Sequence, residues 1–124
     1  MFTHEILRAE RRETVGMNIR EAQERVALFD RQRGWEYSVK DTLLHMTEEL
    51  GELTWNVRRP ESTTVEKVED EVADMLTLIL QAANNLKIDA ESAWLRKVEK
   101  DEKRFPVGSP ARPYKESPAV SNPE

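Results

Sequence analysis

Two short acidic runs, Glu48-Glu49-Leu50-Gly51-Glu52 and Glu71-Val72-Ala73-Asp74, carry the residues of this chain with the clearest capacity for chemistry. Residues three apart on a helix are surface neighbours, so Glu49 with Glu52 and Glu71 with Asp74 form two carboxylate pairs that converge when their helices pack. Carboxylates drawn toward an apolar interior lose hydration and repel one another, and a hard cation with oxygen ligands relieves both penalties. The expected chemistry is therefore the holding of Mg²⁺, with Mn²⁺ as a substitute, by Glu49, Glu52, Glu71 and Asp74. An all-carboxylate set excludes zinc, copper and iron as the natural occupant. A di-iron carboxylate bundle would need Glu-x-x-His on each of two helices. Here His45 precedes Glu48 in the reverse order, and the other histidine, His4, stands near the N-terminus.

The elements that must position these acids are legible from periodicity and stop signals. Asn18 is a helix cap with Glu21 three residues on, and Ile19, Ala22, Val26 and Phe29 recur at helical spacing until Gly34 ends the run. Trp35 to Val39 alternates like a strand but is short and follows a glycine, which reads as a connecting loop. Ser38 caps a second helix, from about Val39 to Arg59, with Leu43, Met46, Leu50, Leu53 and Val57 as its apolar seam and Pro60 as its stop. A third helix begins near Thr63 or Thr64, with Val65, Val68, Val72, Met75, Ile79, Ala82 and Leu86 as its seam. Both acidic pairs lie on a track beside these seams. Lys67 is the only cation placed to pair along the helix, and it precedes Glu71 by four residues, the less favourable order. Asp89 opens a fourth helix, with Trp94, Val98 and Phe105 on its packed side and Pro106 as its end.

The expected fold is all-α, a four-helix bundle. Residues 1–16 read as an N-terminal extension, 17–106 as one domain, and 107–124, with Pro110, Pro113, Pro118 and Pro123, as a disordered tail. With 124 residues there is room for one modest core. Hydrophobic residues make up 38% and charged residues 35%, a thin apolar supply that points to burial of the remaining stripes between subunits, in a homodimer or homotetramer. A net charge of -5 argues against nucleic-acid binding, which relies on basic patches. The absence of cysteine excludes disulfides, thiolate catalysis and thiolate metal sites and fits a reducing cytoplasm. No segment approaches membrane-spanning length, and the first residues lack the apolar core of a signal peptide, so a soluble cytoplasmic protein is expected.

The paired acidic motif, Glu48-Glu49-x-x-Glu52 followed by Glu71-x-x-Asp74, resembles that of the MazG-like all-α nucleoside triphosphate pyrophosphohydrolases. The Glu-Leu-Gly-Glu-Leu run at 49–53, the Glu-Val-Ala-Asp-Met-Leu run at 71–76 and the Asn-Leu-Lys-Ile-Asp connector at 85–89 are similar to the same family. So is the ending Lys97-x-x-x-Asp101-x-x-Arg104-Phe105-Pro106, in which Asp101 stands where asparagine is usual. The resemblance covers residues 18–106. It implies cleavage of a nucleoside triphosphate between the α and β phosphates, with subunits paired around the site. On that reading Glu48 orients or deprotonates the attacking water, and Lys97 and Arg104 neutralise the departing pyrophosphate. Trp35, His45, Trp55 and Asn85 are the candidates for contact with the base. The alternative on the same scaffold is a non-catalytic helical module that acts through dimerisation, whose four acids would tolerate replacement.

Overall fold

The computed structural model describes residues 16–111, so most of the N-terminal extension and of the Pro-rich tail lies outside the described residues. Four α-helices and one 3-10 turn make up the described chain, with no strand among the described residues: α1 (Ile19–Gln32), α2 (Val39–Arg58), the turn Pro60–Ser62, α3 (Val65–Asn85) and α4 (Ala90–Arg104). Each helix starts at a side-chain cap that accepts the backbone N–H three residues on. The pairs are Asn18 with Glu21, Ser38 with Asp41, Thr64 with Lys67 and Asp89 with Ser92. Gly34, at φ 63°, supplies the left-handed residue that turns the chain out of α1. Trp35 to Tyr37 form a loop, as expected, and no described helix is long and apolar enough to cross a membrane.

The antiparallel pair of α2 and α3 is the centre of the fold. Its direction is fixed by two buried side-chain bonds at opposite ends. Thr42 Oγ1 donates to Gln81 Oε1 at 3.3 Å, and Asn56 Nδ2 donates to Glu71 Oε1 at 2.5 Å. Helix α1 lies across α3, and α4 packs on α1. Gln23, buried in α1, ties that corner: its amide donates to the Ile88 carbonyl at 2.7 Å and accepts from the Ala90 N–H at 2.9 Å, while its backbone carbonyl accepts from Asn84. Arg20 adds ion pairs to Asp89 and Glu91 at the start of α4.

The apolar seams are divided by the fold. Met46 and Leu53 of α2 and Val68, Met75 and Ala82 of α3 turn inward. Leu43, Leu50 and Val57, with Val65, Val72, Ile79 and Leu86, are exposed instead. The residues that join the inward rows are polar: Thr42, Glu49 and Asn56 on α2 and Glu71 on α3. A seven-residue apolar repeat has two rows, and one neighbouring helix covers only one of them. The expectation that Trp94 and Phe105 mark the packed side of α4 is corrected, since both are exposed. Among the described residues, only Leu78, Leu80, Ala82 and Ala83 form a fully buried apolar core.

Candidate functional site

Because the acids lie in line with the inward rows, the helix pair carries some of them into its interface. Glu71 is 5% exposed and Glu49 is half-buried, while Glu48, Glu52 and Asp74 are exposed. One oxygen of Glu71 takes the bond from Asn56; the other, Oε2, is buried with no partner among the described residues, as is Thr63 Oγ1. A buried carboxylate oxygen left unpaired is destabilising, and native structures rarely keep one without a use. One turn before Glu49, His45 Nε2 stands 3.2 Å from the Glu49 carboxylate and orients it.

Glu49 and Asp74 open onto a cavity of about 720 Å³ between α1, α2 and α3, within the size range of small-molecule sites. Its aromatic wall comes from the last turn of α1 and the α1–α2 connection. Phe29 and Trp35 meet edge to face at 5.6 Å, and Trp35 and Tyr37 at 6.2 Å. The wall is held at both ends: the Asp30 carbonyl accepts the Trp35 N–H at 2.9 Å, and Asn85 Nδ2 donates to the Tyr37 carbonyl at 2.8 Å. A polar edge faces it, in which Gln81 Nε2 donates to Asp30 Oδ2 at 2.8 Å. Among the described residues, Arg25 is the one arginine or lysine that lines the cavity.

Of the expected site residues, the fold brings Trp35, His45, Glu49 and Asp74 to this cavity, while Glu71 is buried against Asn56 of α2 and does not line it. Glu48 and Glu52 do not line it. Trp55 lies elsewhere, under the Arg59 guanidinium at 3.5 Å in a groove along the outer side of α2. Asn85 acts on the loop rather than in the cavity. Arg25, Phe29, Asp30, Tyr37 and Gln81 were not among the expected site residues. The signal for Asp30 was present, since it falls where the apolar period of Ile19, Ala22 and Val26 continues on α1.

Residues 37–108, more than half of the chain and including both acidic runs, match the MazG nucleotide pyrophosphohydrolase domain. The chain belongs to that family. Neither a curated protein nor a solved structure matches it significantly.

The MazG match directs attention to a divalent cation, and the donor chemistry fits one. The four acids offer only hard oxygen ligands, and Glu71 Oε2 is a buried acceptor without a donor. Among the described residues, no three acidic, histidine or cysteine side chains already converge as a metal-binding group. Glu52 and Asp74 are exposed and their carboxylates make no hydrogen bond within the described residues, so their rotamers are open to a ligand. At the far end of the MazG domain, Lys97 is engaged by Asp101 in an ion pair four residues apart, and Arg104 stacks over Phe105 at 5.1 Å. These residues line a groove separate from the cavity. Asp101 thus balances Lys97, which the sequence left open.

Proposed function

We propose that this MazG-family chain is a Mg²⁺-dependent nucleoside triphosphate pyrophosphohydrolase that cleaves a ribo- or deoxyribonucleotide between the α and β phosphates, as cytoplasmic housekeeping of the nucleotide pool. The observation that carries the reading is the buried Glu71 oxygen, without a hydrogen-bond partner among the described residues, one turn along α3 from Asp74, which lines the cavity with Glu49 and an aromatic wall. Glu49, Glu52, Glu71 and Asp74 would hold Mg²⁺ or Mn²⁺, which supplies Lewis acidity toward the phosphate oxygens and the attacking water. Water adds to the α-phosphorus, the bond to the bridging oxygen breaks, and the monophosphate and pyrophosphate leave. Trp35 offers a flat face to the base, with His45 holding Glu49 in place. Arg25 supplies a cation within the cavity for the phosphate chain.

The active species on this reading is a homodimer or homotetramer. The exposed rows Leu43, Leu50, Val57 and Val65, Val72, Ile79, Leu86 are two apolar stripes on neighbouring helices, and a second copy of the same rows covers them in a four-helix contact. Glu48, Trp55, Lys97 and Arg104 lie outside the chain's own cavity, so their proposed roles belong to a site that a second copy completes. The test is release of pyrophosphate from a panel of canonical and modified nucleoside triphosphates with Mg²⁺ or Mn²⁺. Turnover no higher than that of Glu71→Gln on every member would sink the reading.

The exposed stripes also favour a second reading, a non-catalytic helical module that works through self-association. It predicts no change in melting temperature on addition of Mg²⁺ with a non-hydrolysable triphosphate, whereas the enzyme is stabilised by that pair.

A further inference from the structure

Resting on the pyrophosphohydrolase reading, we infer that Asp30 and Gln81 read the base edge and select an amino-bearing base, cytosine or adenine, over uracil or hypoxanthine. Neither acidic run contains these two residues. They are 51 residues apart and are brought together where α1 crosses α3.

Their hydrogen bonds leave particular atoms free within the cavity that both residues line. Gln81 is 8% exposed, its Nε2 donates to Asp30 Oδ2 and its Oε1 accepts from Thr42; a turned-over amide would set its oxygen against the carboxylate, which cannot donate when ionised. Nε2 therefore donates, and it carries two hydrogens, of which Asp30 Oδ2 takes one. Asp30 Oδ1 has no hydrogen bond among the described residues and belongs to an acceptor-only group when ionised. Both residues line the cavity, so the groups they have left for a ligand there are an acceptor, Asp30 Oδ1, and a donor, the second hydrogen of Gln81 Nε2.

The complementary base edge is an exocyclic amine beside an unprotonated ring nitrogen. Cytosine presents this with its 4-amino group and N3, and adenine with its 6-amino group and N1. Uracil and hypoxanthine present the reverse order, a carbonyl beside a ring N–H, which sets oxygen against carboxylate and N–H against N–H. The wrong edge leaves these groups unpaired away from water. The reader is also coupled to the stacking face, because the Asp30 carbonyl holds the backbone N–H of Trp35.

The test compares kcat/KM for CTP against UTP and for ATP against ITP, each pair differing by an amine exchanged for a carbonyl. The wild type is expected to favour the amino member of each pair by at least about tenfold, the ratio that one buried hydrogen bond of about 1.4 kcal/mol supplies. Asp30→Asn keeps the shape and an acceptor for Gln81 but turns an N–H₂ toward the base, so it is expected to erase or reverse the ratio. Equal kcat/KM within both pairs, or an Asp30→Asn variant that slows all four substrates alike, overturns the inference and leaves the hydrolase reading standing. A readout without turnover uses the monophosphates. CMP and AMP are expected to raise the melting temperature more than UMP and IMP in the wild type and not in Asp30→Asn, and equal shifts overturn the inference even where no hydrolysis is seen.

Discussion

Replacement of Glu71 by glutamine is expected to have opposite effects on stability with and without metal. Glu71 is 5% exposed; Oε1 takes the bond from Asn56, and Oε2 has no partner among the described residues. Glutamine keeps an oxygen for Asn56 and the same shape, leaves one buried polar atom unpaired as before, and removes the charge. Since an unpaired buried charged group is more costly than a neutral one, the metal-free variant should be more stable than the wild type by about 1–2 kcal/mol. Unfolding entropy of about 2.1 cal/mol/K per residue, over 124 residues, makes 1 kcal/mol worth about 4 °C, so the gain is about 4–8 °C. With Mg²⁺ at about 100 times its dissociation constant the wild type gains about 2.7 kcal/mol, or about 10 °C, and the variant gains little. The order of the two proteins then reverses. The assay is thermal unfolding of both proteins in chelator and across a Mg²⁺ titration. A metal-free variant less stable than the wild type would refute the account of Oε2 as an uncompensated acceptor, and equal Mg²⁺ shifts in both would remove Glu71 from the cation site.

Further expectations follow from other parts of the fold. Ile79→Glu places a charge in the exposed α3 row and should convert the wild-type oligomer to monomer in sedimentation; a wild type that is already monomeric would dismiss the second copy. Lys87 adopts a left-handed φ of 58° just after α3, so Lys87→Gly should raise unfolding stability by about 0.5–1 kcal/mol in denaturant titration, and a loss would show that the Lys87 side chain does more than occupy the turn. The carboxyl of Asp89 is held below its ordinary range, first by the backbone N–H of Ser92 and then by Arg20. A depressed carboxyl contributes stability above its ordinary value of about 3.9 and loses it as the pH falls through its folded value. Wild-type stability should therefore fall more steeply than that of Asp89→Asn below about pH 4, and parallel curves would exclude Asp89 as a source of acid lability.

Local signals in the sequence carried the helix boundaries, because capping is a short-range matter: Asn18, Ser38, Thr64 and Asp89 each bond within three residues. The seams were legible as apolar rows, but hydrophobicity does not say which molecule covers a row. Leu50 and Leu53 read alike in the sequence, yet one faces outward and the other inward. The acidic pairs were legible because each lies on one helix. Asp30 with Gln81, and Asn85 with Tyr37, depend on how helices cross and how a loop lies, and neither contact has a local pattern. Trp94 was misjudged for a related reason: a tryptophan on an amphipathic helix is read as packed, whereas here it is exposed in the single chain.

The central claim is attack of water on the α-phosphorus of a nucleoside triphosphate at the Glu71 site. Hydrolysis in ¹⁸O-labelled water with Mg²⁺, followed by mass spectrometry of the products, tests it most directly. The account predicts one labelled oxygen in the nucleoside monophosphate, unlabelled pyrophosphate, and loss of both products in Glu71→Gln. Label in the pyrophosphate, release of inorganic phosphate with a diphosphate, or no Mg²⁺-dependent turnover would contradict it.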